Sequence, residues 1–343
     1  MDDFKSKKFG SAGVGIVHKK LSNILPDELL DKFQFIVDHH DQFEPLDETK
    51  IRIFWSHLEP EQNEEVSRII KSDTTPLANK GWQNFHKIVF ISHHQMENWI
   101  RKYNIPRSYC TVIKYGLTPV SLREKSKDKI TIFHHPSPQR GLSLLVDVFE
   151  ELSKKYSNLE LKVCSSYKIY TESNNSFLKT FDRQQSDYEK SGLYAKLEKN
   201  PFIKNLGYIQ NEELRMHLAS SHIFAYPSIL PETFCLSLLE SMSAGLLCVH
   251  SSFGCLPETA SNLTMMYDFH ENLIEHKKRF HKTLDNAIKV VNSDDVQHDL
   301  KKQKEYVDYC YDWGNIKNKW LDLLTDLEKE PLKKIKKKIS FKY

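Results

Sequence analysis

The sequence predicts an α/β protein of two domains, each built around a parallel β-sheet. Runs rich in β-branched and aromatic residues alternate with runs whose apolar residues recur every three or four positions, a pattern typical of parallel sheets covered by helices. The length of 343 residues is sufficient for two domains of ordinary size. A polar, charged stretch over residues 117–128 divides two such series, and we place the interdomain linker there.

The first series predicts an N-terminal domain over residues 1–120. A helical stripe that includes Val17, Leu21 and Ile24 opens after Gly13-Val14-Gly15. No clear strand precedes that helix, so this domain is predicted to be abbreviated. Further helices are predicted near residues 61–71 and 95–103, and the strand-like runs are residues 34–38, 50–56, 87–92 and 110–116.

The second series predicts a C-terminal domain over residues 129–310. A helix is predicted to begin at Arg140, where Leu142, Leu145 and Phe149 lie on one apolar face. From residue 271 the pattern is helical to about residue 330. The strand-like runs of this series are residues 129–135, 159–166, 202–209, 222–228, 246–251 and 263–268.

Composition excludes several classes of protein. The hydrophobic content of 39% and charged content of 28% are those of a globular protein. The net charge of +3 does not suggest a nucleic-acid binder, and no apolar run approaches the roughly 20 residues that span a bilayer. The N-terminus lacks the apolar core of a signal peptide, so we expect a cytoplasmic protein whose six cysteines are reduced.

Histidines follow several predicted strands, as pairs at 39–40, 93–94 and 134–135 and singly at His57. Ligands of open parallel sheets bind at the carboxyl ends of the strands, so these histidines are predicted to lie near a ligand. The preferred interpretation is that most of them cap strand ends. No helical His-x3-His pair or Cys/His framework supports a metal centre.

Residues 228–259 are the most informative segment. Glu232 precedes a helix predicted to begin at Thr233 and to end at Gly245, and Glu240 is placed two turns inside that helix. The free backbone amides of Thr233, Phe234 and Cys235 would attract a phosphate, while the two carboxylates accept hydrogen bonds from sugar hydroxyls. The segment therefore offers a site for a molecule that is part phosphate and part sugar.

The same segment resembles the Glu-x7-Glu signature of the retaining family-4 glycosyltransferases. The similarity includes Pro231-Glu232-Thr233-Phe234, the helix end Ser243-Ala244-Gly245, the strand-like 246–251 and the turn at Gly254. The alternative is an ordinary strand–helix–strand unit with two surface carboxylates. The resemblance implies the GT-B fold, two Rossmann-like doubly wound parallel-sheet domains facing a cleft. Residues 311–330, with Trp313 and Trp320, resemble the terminal helix that crosses back to the N-terminal domain.

The resemblance also implies roles for individual residues. Glu240 would hold the ribose hydroxyls of a nucleotide, and Glu232 the hydroxyls of the donor sugar. Arg140, in the segment Ser137–Leu142, resembles the basic residue that binds the donor diphosphate, assisted by the amides of Thr233, Phe234 and Cys235. His135 stands near the place where many members carry a second basic residue.

Two further features carry implied roles in the N-terminal domain. Gly13 and Gly15 resemble a glycine-rich loop that approaches the donor phosphates. His57, in His57-Leu58-Glu59-Pro60, resembles a histidine that contacts the transferred sugar. In this mechanism the leaving phosphate deprotonates the acceptor. We find no Asp-x-Asp at a strand end, so we expect neither a cofactor nor a metal.

The implied function is transfer of a hexose from a nucleotide-diphosphate sugar to a hydroxyl acceptor, a glycan or a lipid-linked group, with retention of configuration. The alternatives are a non-catalytic relative that binds nucleotide sugar or a partner, and another GT-B enzyme such as a nucleotide-sugar epimerase. The basic tail, residues 331–343, contains five lysines between Leu332 and Ile339. Either it is a solvated, frayed end, or it forms a short amphipathic helix that makes weak peripheral contact with an anionic membrane.

Overall fold

The computed structural model describes residues 13–38, 45–62, 76–170 and 179–336. The chain divides into two compact units. Unit 1 is Met1–Gly116 together with Trp313–Tyr343, and unit 2 is Leu117–Asp312. In the described part of the chain, no helix combines the length and the apolar character needed to cross a membrane.

Unit 1 contains a four-stranded sheet in which every strand pairs in parallel with its neighbour, in the order β1-β2-β3-β4. Apart from Arg52 and Lys87, its central strands are apolar, and they are almost fully buried, as expected for a sheet covered on both faces. The strands are β1 (Phe33–Val37), β2 (Ile51–Trp55), β3 (Lys87–Phe90) and β4 (Cys110–Val112). The helices in this part are α1 (Gly13–Ile24), α2 (Asp27–Leu30) and α3 (His93–Tyr103).

Unit 2 contains a six-stranded parallel sheet in the order β10-β9-β8-β5-β6-β7. The strand order reverses between β5 and β8, which is the switch point of a doubly wound sheet and the usual place for a ligand. The strands are β5 (Ile130–His134), β6 (Leu159–Val163), β7 (Ile203–Asn205), β8 (Ile223–Tyr226), β9 (Leu247–Ser251) and β10 (Met265–Tyr267).

Helices cover the second sheet, with α10 packed on α4 and α11 packed on α8. Their bounds follow local capping signals: Asn272 caps the start of α10 and Ser293 that of α11 through side-chain hydrogen bonds. The helices are α4 (Leu142–Lys155), α5 (Lys179–Glu189), α6 (Gly192–Lys199), α7 (Asn211–Ala219), α8 (Leu236–Ser243), α9 (Leu256–Ala260), α10 (Leu273–Val290) and α11 (Asp294–Cys310).

The last helix, α12 (Trp313–Leu327), belongs to unit 1. The ring of Trp320 packs against Phe35 and Trp55, with ring centroids 5.9 and 5.2 Å apart. The Trp313 ring lies against Gly116, where a β-carbon would be 2.4 Å from the ring. The chain thus returns to its first sheet after completing unit 2, as predicted.

The described part of the basic tail, residues 331–336, is held against unit 1 in non-helical conformation. The guanidinium of fully buried Arg52 donates a 2.6 Å hydrogen bond to the carbonyl of Lys333. The Lys333 ammonium donates to the carbonyl of Phe85 at 3.0 Å and lies 4.5 Å from the Tyr109 ring centre. These residues are neither frayed nor helical, because they hydrogen-bond to the rest of unit 1, whereas the predicted contact with an anionic membrane stays a prediction. Residues 337–343 lie outside the described residues.

The α/β prediction with two parallel sheets is confirmed, and each predicted strand run overlaps an observed strand. Several helix starts are wrong. Helix α1 begins at Gly13 instead of after Gly15, α4 begins at Leu142, and α8 begins at Leu236. The pair 93–94 opens α3 and does not end a strand. The pair 39–40 and most of the predicted helix 61–71 lie outside the described residues.

Candidate functional site

Two glycines bring three loops of unit 2 together at the carboxyl ends of its strands. Gly141 has a φ of +97°, and a β-carbon there would lie 2.0 Å from the carbonyl oxygen of Pro227, just after β8. Gly254, after β9, has a φ of +65°, and its β-carbon would lie 2.4 Å from the backbone nitrogen of Glu232. Only glycine accepts both the left-handed conformation and the close approach. The loops after β5, β8 and β9 therefore meet at one place.

A charged cluster occupies this meeting point. Arg140 ends the 3₁₀ turn Pro138–Arg140, and its Nη1 donates to Oε1 of Glu232 and, at 3.4 Å, to the hydroxyl of Tyr226. Tyr226, the last residue of β8, donates its own hydroxyl proton to the same carboxylate oxygen. The Glu232 side chain is 7% exposed and that of Arg140 27%. The cluster is thus a buried carboxylate held by a more accessible cation.

The backbone around Glu232 is also fixed. Its carbonyl oxygen accepts a 2.8 Å hydrogen bond from the amide of Cys255, in the turn after Gly254. Glu232 is therefore anchored through its backbone by the loop after β9 and through its side chain by β8 and Arg140. Such a doubly held carboxylate is preorganised and does not need to be ordered when a ligand binds.

Helix α8 begins three residues later than predicted, which changes the set of free amides. Thr233 and Phe234 precede the helix, and the Phe234 ring packs on Tyr311 with centroids 6.1 Å apart. Cys235 is the N-cap, so the first residues of the helix, Leu236–Leu238, present amides that have no partner within the helix. The predicted helix start was too early because Pro231 and Thr233 favour a start that the packing of Phe234 overrides. The contact of the Thr233, Phe234 and Cys235 amides with a donor stays a prediction.

Glu240 lies about one turn into α8, less than the two turns predicted, and is half-buried. Burial raises the pKa of its carboxyl to about 7, which the positive charge of Arg215 opposes. Within the described ranges, no protein group hydrogen-bonds to this carboxylate. Glu240 thus offers acceptor atoms that the protein itself does not use.

Of the two histidines after Phe133, His134 lies against β8 and His135 against α8. Nδ1 of His134 donates to the carbonyl of Ala225 at 2.9 Å, and Nε2 of His135 to that of Ser237 at 3.2 Å. Burial lowers the pKa of His134 to about 4 and that of His135 to about 3. Both are neutral at pH 7, so His135 cannot supply a second cation, and its contact with a donor stays a prediction.

In unit 1, His57 follows β2 and is buried. Its backbone amide donates to Oδ1 of Asp38 at 2.7 Å, and its Nδ1 is hydrogen-bonded to the hydroxyl of Tyr115. Burial raises the pKa of Asp38 to about 7. These contacts fix the orientation of the ring, and the predicted contact of His57 with a transferred sugar stays a prediction.

Gly13 and Gly15 lie in the first turn of α1 and do not form a loop before it, and their predicted contact with the donor phosphates stays a prediction. The residues before Gly13 lie outside the described ranges. Nor does the described part of the chain bring together three or more His, Cys, Asp or Glu side chains that could hold a metal ion.

Sequence reasoning missed Tyr226 and the roles of Gly141 and Gly254. Tyr226 lies in the strand-like run 222–228 and is followed by a proline, which marks the end of a central strand where ligands bind. The two glycines are recognisable only once the loops are seen to touch, because neither sits in a motif that specifies its partner.

Comparison with known proteins identifies the family. The sequence model of "Glycosyl transferases group 1" matches residues 118–306, more than half of the chain. The chain is 28% identical over 180 residues to a phosphatidylinositol N-acetylglucosaminyltransferase chain of Arabidopsis thaliana, covering 50% of this chain and 35% of that protein. It is 23% identical over 256 residues to the GPI3 subunit of the enzyme of the same name in Saccharomyces cerevisiae, covering 71% and 51%.

The fold is likewise shared. A glycosyltransferase from Rickettsia africae superposes with a TM-score of 0.59 at 15% identity, covering 96% of this chain and 85% of that one. The chain spans about half or less of the length of the two curated relatives named above. The likeness confirms the GT-B architecture, and the family match shows that this protein belongs to the glycosyl transferases of group 1.

Proposed function

We propose that this protein transfers a hexose from a nucleotide-diphosphate sugar to a hydroxyl acceptor with retention of configuration. The observation that carries the proposal is the cluster of Arg140, Glu232 and Tyr226 at the switch point of the second sheet, with Glu240 one turn into the next helix. The cluster offers a cation for a diphosphate and carboxylates for sugar hydroxyls, on a rigid frame.

Each group has a distinct part in the proposed reaction. Arg140 and the amides that open α8 stabilise the negative charge that grows on the diphosphate as it leaves, the electrostatic form of catalysis. Glu232 accepts hydrogen bonds from the donor sugar, and Glu240 from the ribose. The departing phosphate takes the proton of the acceptor hydroxyl on the same face of the sugar, so no protein nucleophile is required.

The curated relatives suggest which substrates to test first. Their names describe transfer of N-acetylglucosamine to phosphatidylinositol. We therefore propose an N-acetylglucosamine nucleotide as the first donor and a lipid-linked hydroxyl as the first acceptor, with hexose donors beside them. We retain a cytoplasmic location as part of this proposal.

A donor panel tests the proposal. The full chain is incubated with UDP- and GDP-linked glucose, mannose and N-acetylglucosamine, with and without phosphatidylinositol vesicles, and release of nucleoside diphosphate is measured. We expect one donor to be consumed, a product whose anomeric configuration by NMR equals that of the donor, and loss of turnover in Glu232→Gln. An inverted product would contradict the retaining mechanism. Tight nucleotide binding without turnover on any acceptor would favour the non-catalytic alternative.

A further inference from the structure

In unit 1, the loop that follows β2 is bound to a buried carboxylate. Asp38 lies just after β1, and its side chain accepts hydrogen bonds from the Ser56 hydroxyl at 2.6 Å and the His57 amide at 2.7 Å. The Leu58 amide donates to it at 3.3 Å. Asp38 and Ser56 are fully buried. One carboxylate therefore holds three consecutive residues at the carboxyl end of the first sheet, the edge where parallel sheets bind ligands.

Helix α3 holds the same loop from the other side. Nε2 of the fully buried Gln95 donates to the Ser56 hydroxyl oxygen at 3.2 Å and to the Leu58 carbonyl at 2.9 Å. The indole of Trp99 donates to that carbonyl as well, also at 2.9 Å. Because Gln95 donates to the Ser56 hydroxyl, the proton of that hydroxyl remains available to Asp38. The Leu58 peptide is therefore fixed through its amide by Asp38 and through its carbonyl by α3.

The charge of Asp38 is not balanced by a nearby cation. Within the described part of the chain, no lysine, arginine or histidine forms an ion pair with it. Burial raises the pKa of its carboxyl from 3.8 to about 7, although the three hydrogen bonds oppose this shift. The stability that the protonated residue contributes is present below about pH 3.8 and is lost as the pH rises through about 7. A buried carboxyl that ionises near neutral pH is typical of functional sites.

The other titratable side chains beside this carboxyl are His57 and Tyr115. Nδ1 of His57 is hydrogen-bonded to the hydroxyl of Tyr115, whose pKa burial raises well above its ordinary value, with the charge of Asp38 adding to the shift. Tyr115 therefore keeps its proton at neutral pH. The side chains of α3 that contact the loop are uncharged, and the pair 39–40 lies outside the described residues. Replacement of Asp38 therefore separates its ionisation from that of a histidine.

Protonation changes the hydrogen bonds of the carboxyl unequally. The His57 amide, on Oδ1, can only donate, so the added proton goes to Oδ2, which faces the Ser56 hydroxyl. That hydroxyl can reverse, accept from Asp38 and turn its own proton to the Leu58 carbonyl 3.4 Å away. The carbonyl already accepts from two side chains of α3, and the Leu58 amide now faces a protonated oxygen. The Leu58 peptide therefore loses the contacts that fix it.

We propose that Asp38 is a pH-dependent switch for the loop after β2: its ionised form holds the Leu58 peptide, and its protonated form releases it. The switch makes the carboxyl edge of the first sheet sensitive to pH. It is independent of the proposed transfer reaction, because it involves neither a nucleotide nor a sugar.

Amide NMR of the isotope-labelled full chain between pH 5 and pH 9 tests the switch. We expect the His57 and Leu58 amide signals to move together, with a midpoint at about pH 7. Protection of the Leu58 amide against hydrogen exchange, corrected for the intrinsic effect of pH, should fall on the order of tenfold on acidification, the size of one hydrogen bond to a charged group. Protection of the His57 amide, which keeps its acceptor, should change less.

Three variants identify the group that titrates. Asp38→Asn should abolish the step. Asp47→Asn is the matched control, since this carboxylate also accepts from an amide and a hydroxyl, both of Thr49, and the midpoint should stay unchanged. Ser56→Ala removes the strongest of the hydrogen bonds that oppose the raised pKa of Asp38, so the midpoint should rise.

Other results would overturn the proposal. Signals that do not move between pH 5 and pH 9 would mean that Asp38 stays in one form throughout. A step that persists in Asp38→Asn would assign the proton to a histidine. Equal protection of the Leu58 amide at both ends of the range would show that the peptide is not released. If Asp38→Asn does not fold, an unchanged midpoint in Ser56→Ala would by itself contradict the switch.

Discussion

Glu240 belongs to the proposed donor site, and its carboxyl has an unusually high pKa. Its pKa is raised to about 7 in the folded protein, mainly by burial, from an ordinary value near 4.5. The folded state therefore binds a proton more tightly than the unfolded state between these values. The contribution of this residue to stability is fully present below about pH 4.5 and is lost as the pH rises through about 7.

We expect Glu240→Gln to gain stability relative to the wild type as the pH is raised. Urea unfolding at pH 5 and pH 8 measures this, and the variant's advantage should be larger at pH 8. Asp38, whose pKa is also raised to about 7, affects both proteins equally and cancels in the difference. Glu305→Gln, an exposed position on α11, is the control and should show no such change. If the stability difference between Glu240→Gln and the wild type is the same at pH 5 and pH 8, the raised pKa of Glu240 is contradicted.

The positively charged groups of the proposed site lead to a second prediction, on the need for a metal ion. Arg140 and the first amides of α8 supply the positive charge for the diphosphate, so transfer should continue in EDTA. Donor consumption measured with and without the chelator checks this. Loss of transfer in EDTA that Mn²⁺ restores would show that the leaving group needs a metal.

At the scale of the elements, the site depends on loops that only glycines allow to touch. Gly254 packs on the backbone of Glu232, whereas Gly207 has a similar φ of +60° with nothing within 4 Å of a β-carbon. Alanine substitution at the two positions therefore distinguishes the cost of backbone strain alone from the added cost of steric contact.

Gly207→Ala should cost about 1 kcal/mol for the left-handed backbone alone. Gly254→Ala should cost about 1–3 kcal/mol more, because the added methyl group displaces the loop that holds Glu232. Urea unfolding followed by far-UV circular dichroism gives both values. Equal losses would mean that the loop after β9 adjusts without strain and does not anchor Glu232.

At the scale of the whole molecule, the end of the chain is part of unit 1. Removing residues 331–343 leaves the buried guanidinium of Arg52 without its acceptor on Lys333. Loss of a hydrogen bond to a charged group should lower the stability of unit 1 by about 1.5–3 kcal/mol. All five tryptophans lie in unit 1, so tryptophan fluorescence reports its unfolding specifically.

A chain that ends after Lys336 retains the contacts of Lys333 and is the matched control. It should unfold at the same urea concentration as the full chain. If the chain that lacks residues 331–343 also unfolds at that urea concentration, the tail does not stabilise unit 1.

Much of this architecture could be predicted because its determinants are local. The ten strands of the described residues are short apolar runs between polar turns, and Trp313 and Trp320 marked the returning helix. The resemblance placed Arg140 and Glu232 in one site, but the strand order, the direct contact between these two side chains and the part of Tyr226 could not be predicted, since they depend on which loops touch. The start of α8 was wrong because the packing of Phe234 on Tyr311 outweighs the local preference of the residues before it.

In the proposed reaction, unit 2 binds the diphosphate of a nucleotide sugar through Arg140. Calorimetric titration of Arg140→Ala with the nucleoside diphosphate that best stabilises the protein, and with its parent nucleoside, tests it most directly. The diphosphate should lose on the order of tenfold or more in affinity, because a charge-assisted contact disappears, and the nucleoside should lose less than about twofold. Equal losses for both ligands in a folded variant would contradict diphosphate binding by Arg140 and leave this residue a purely structural role beside Glu232.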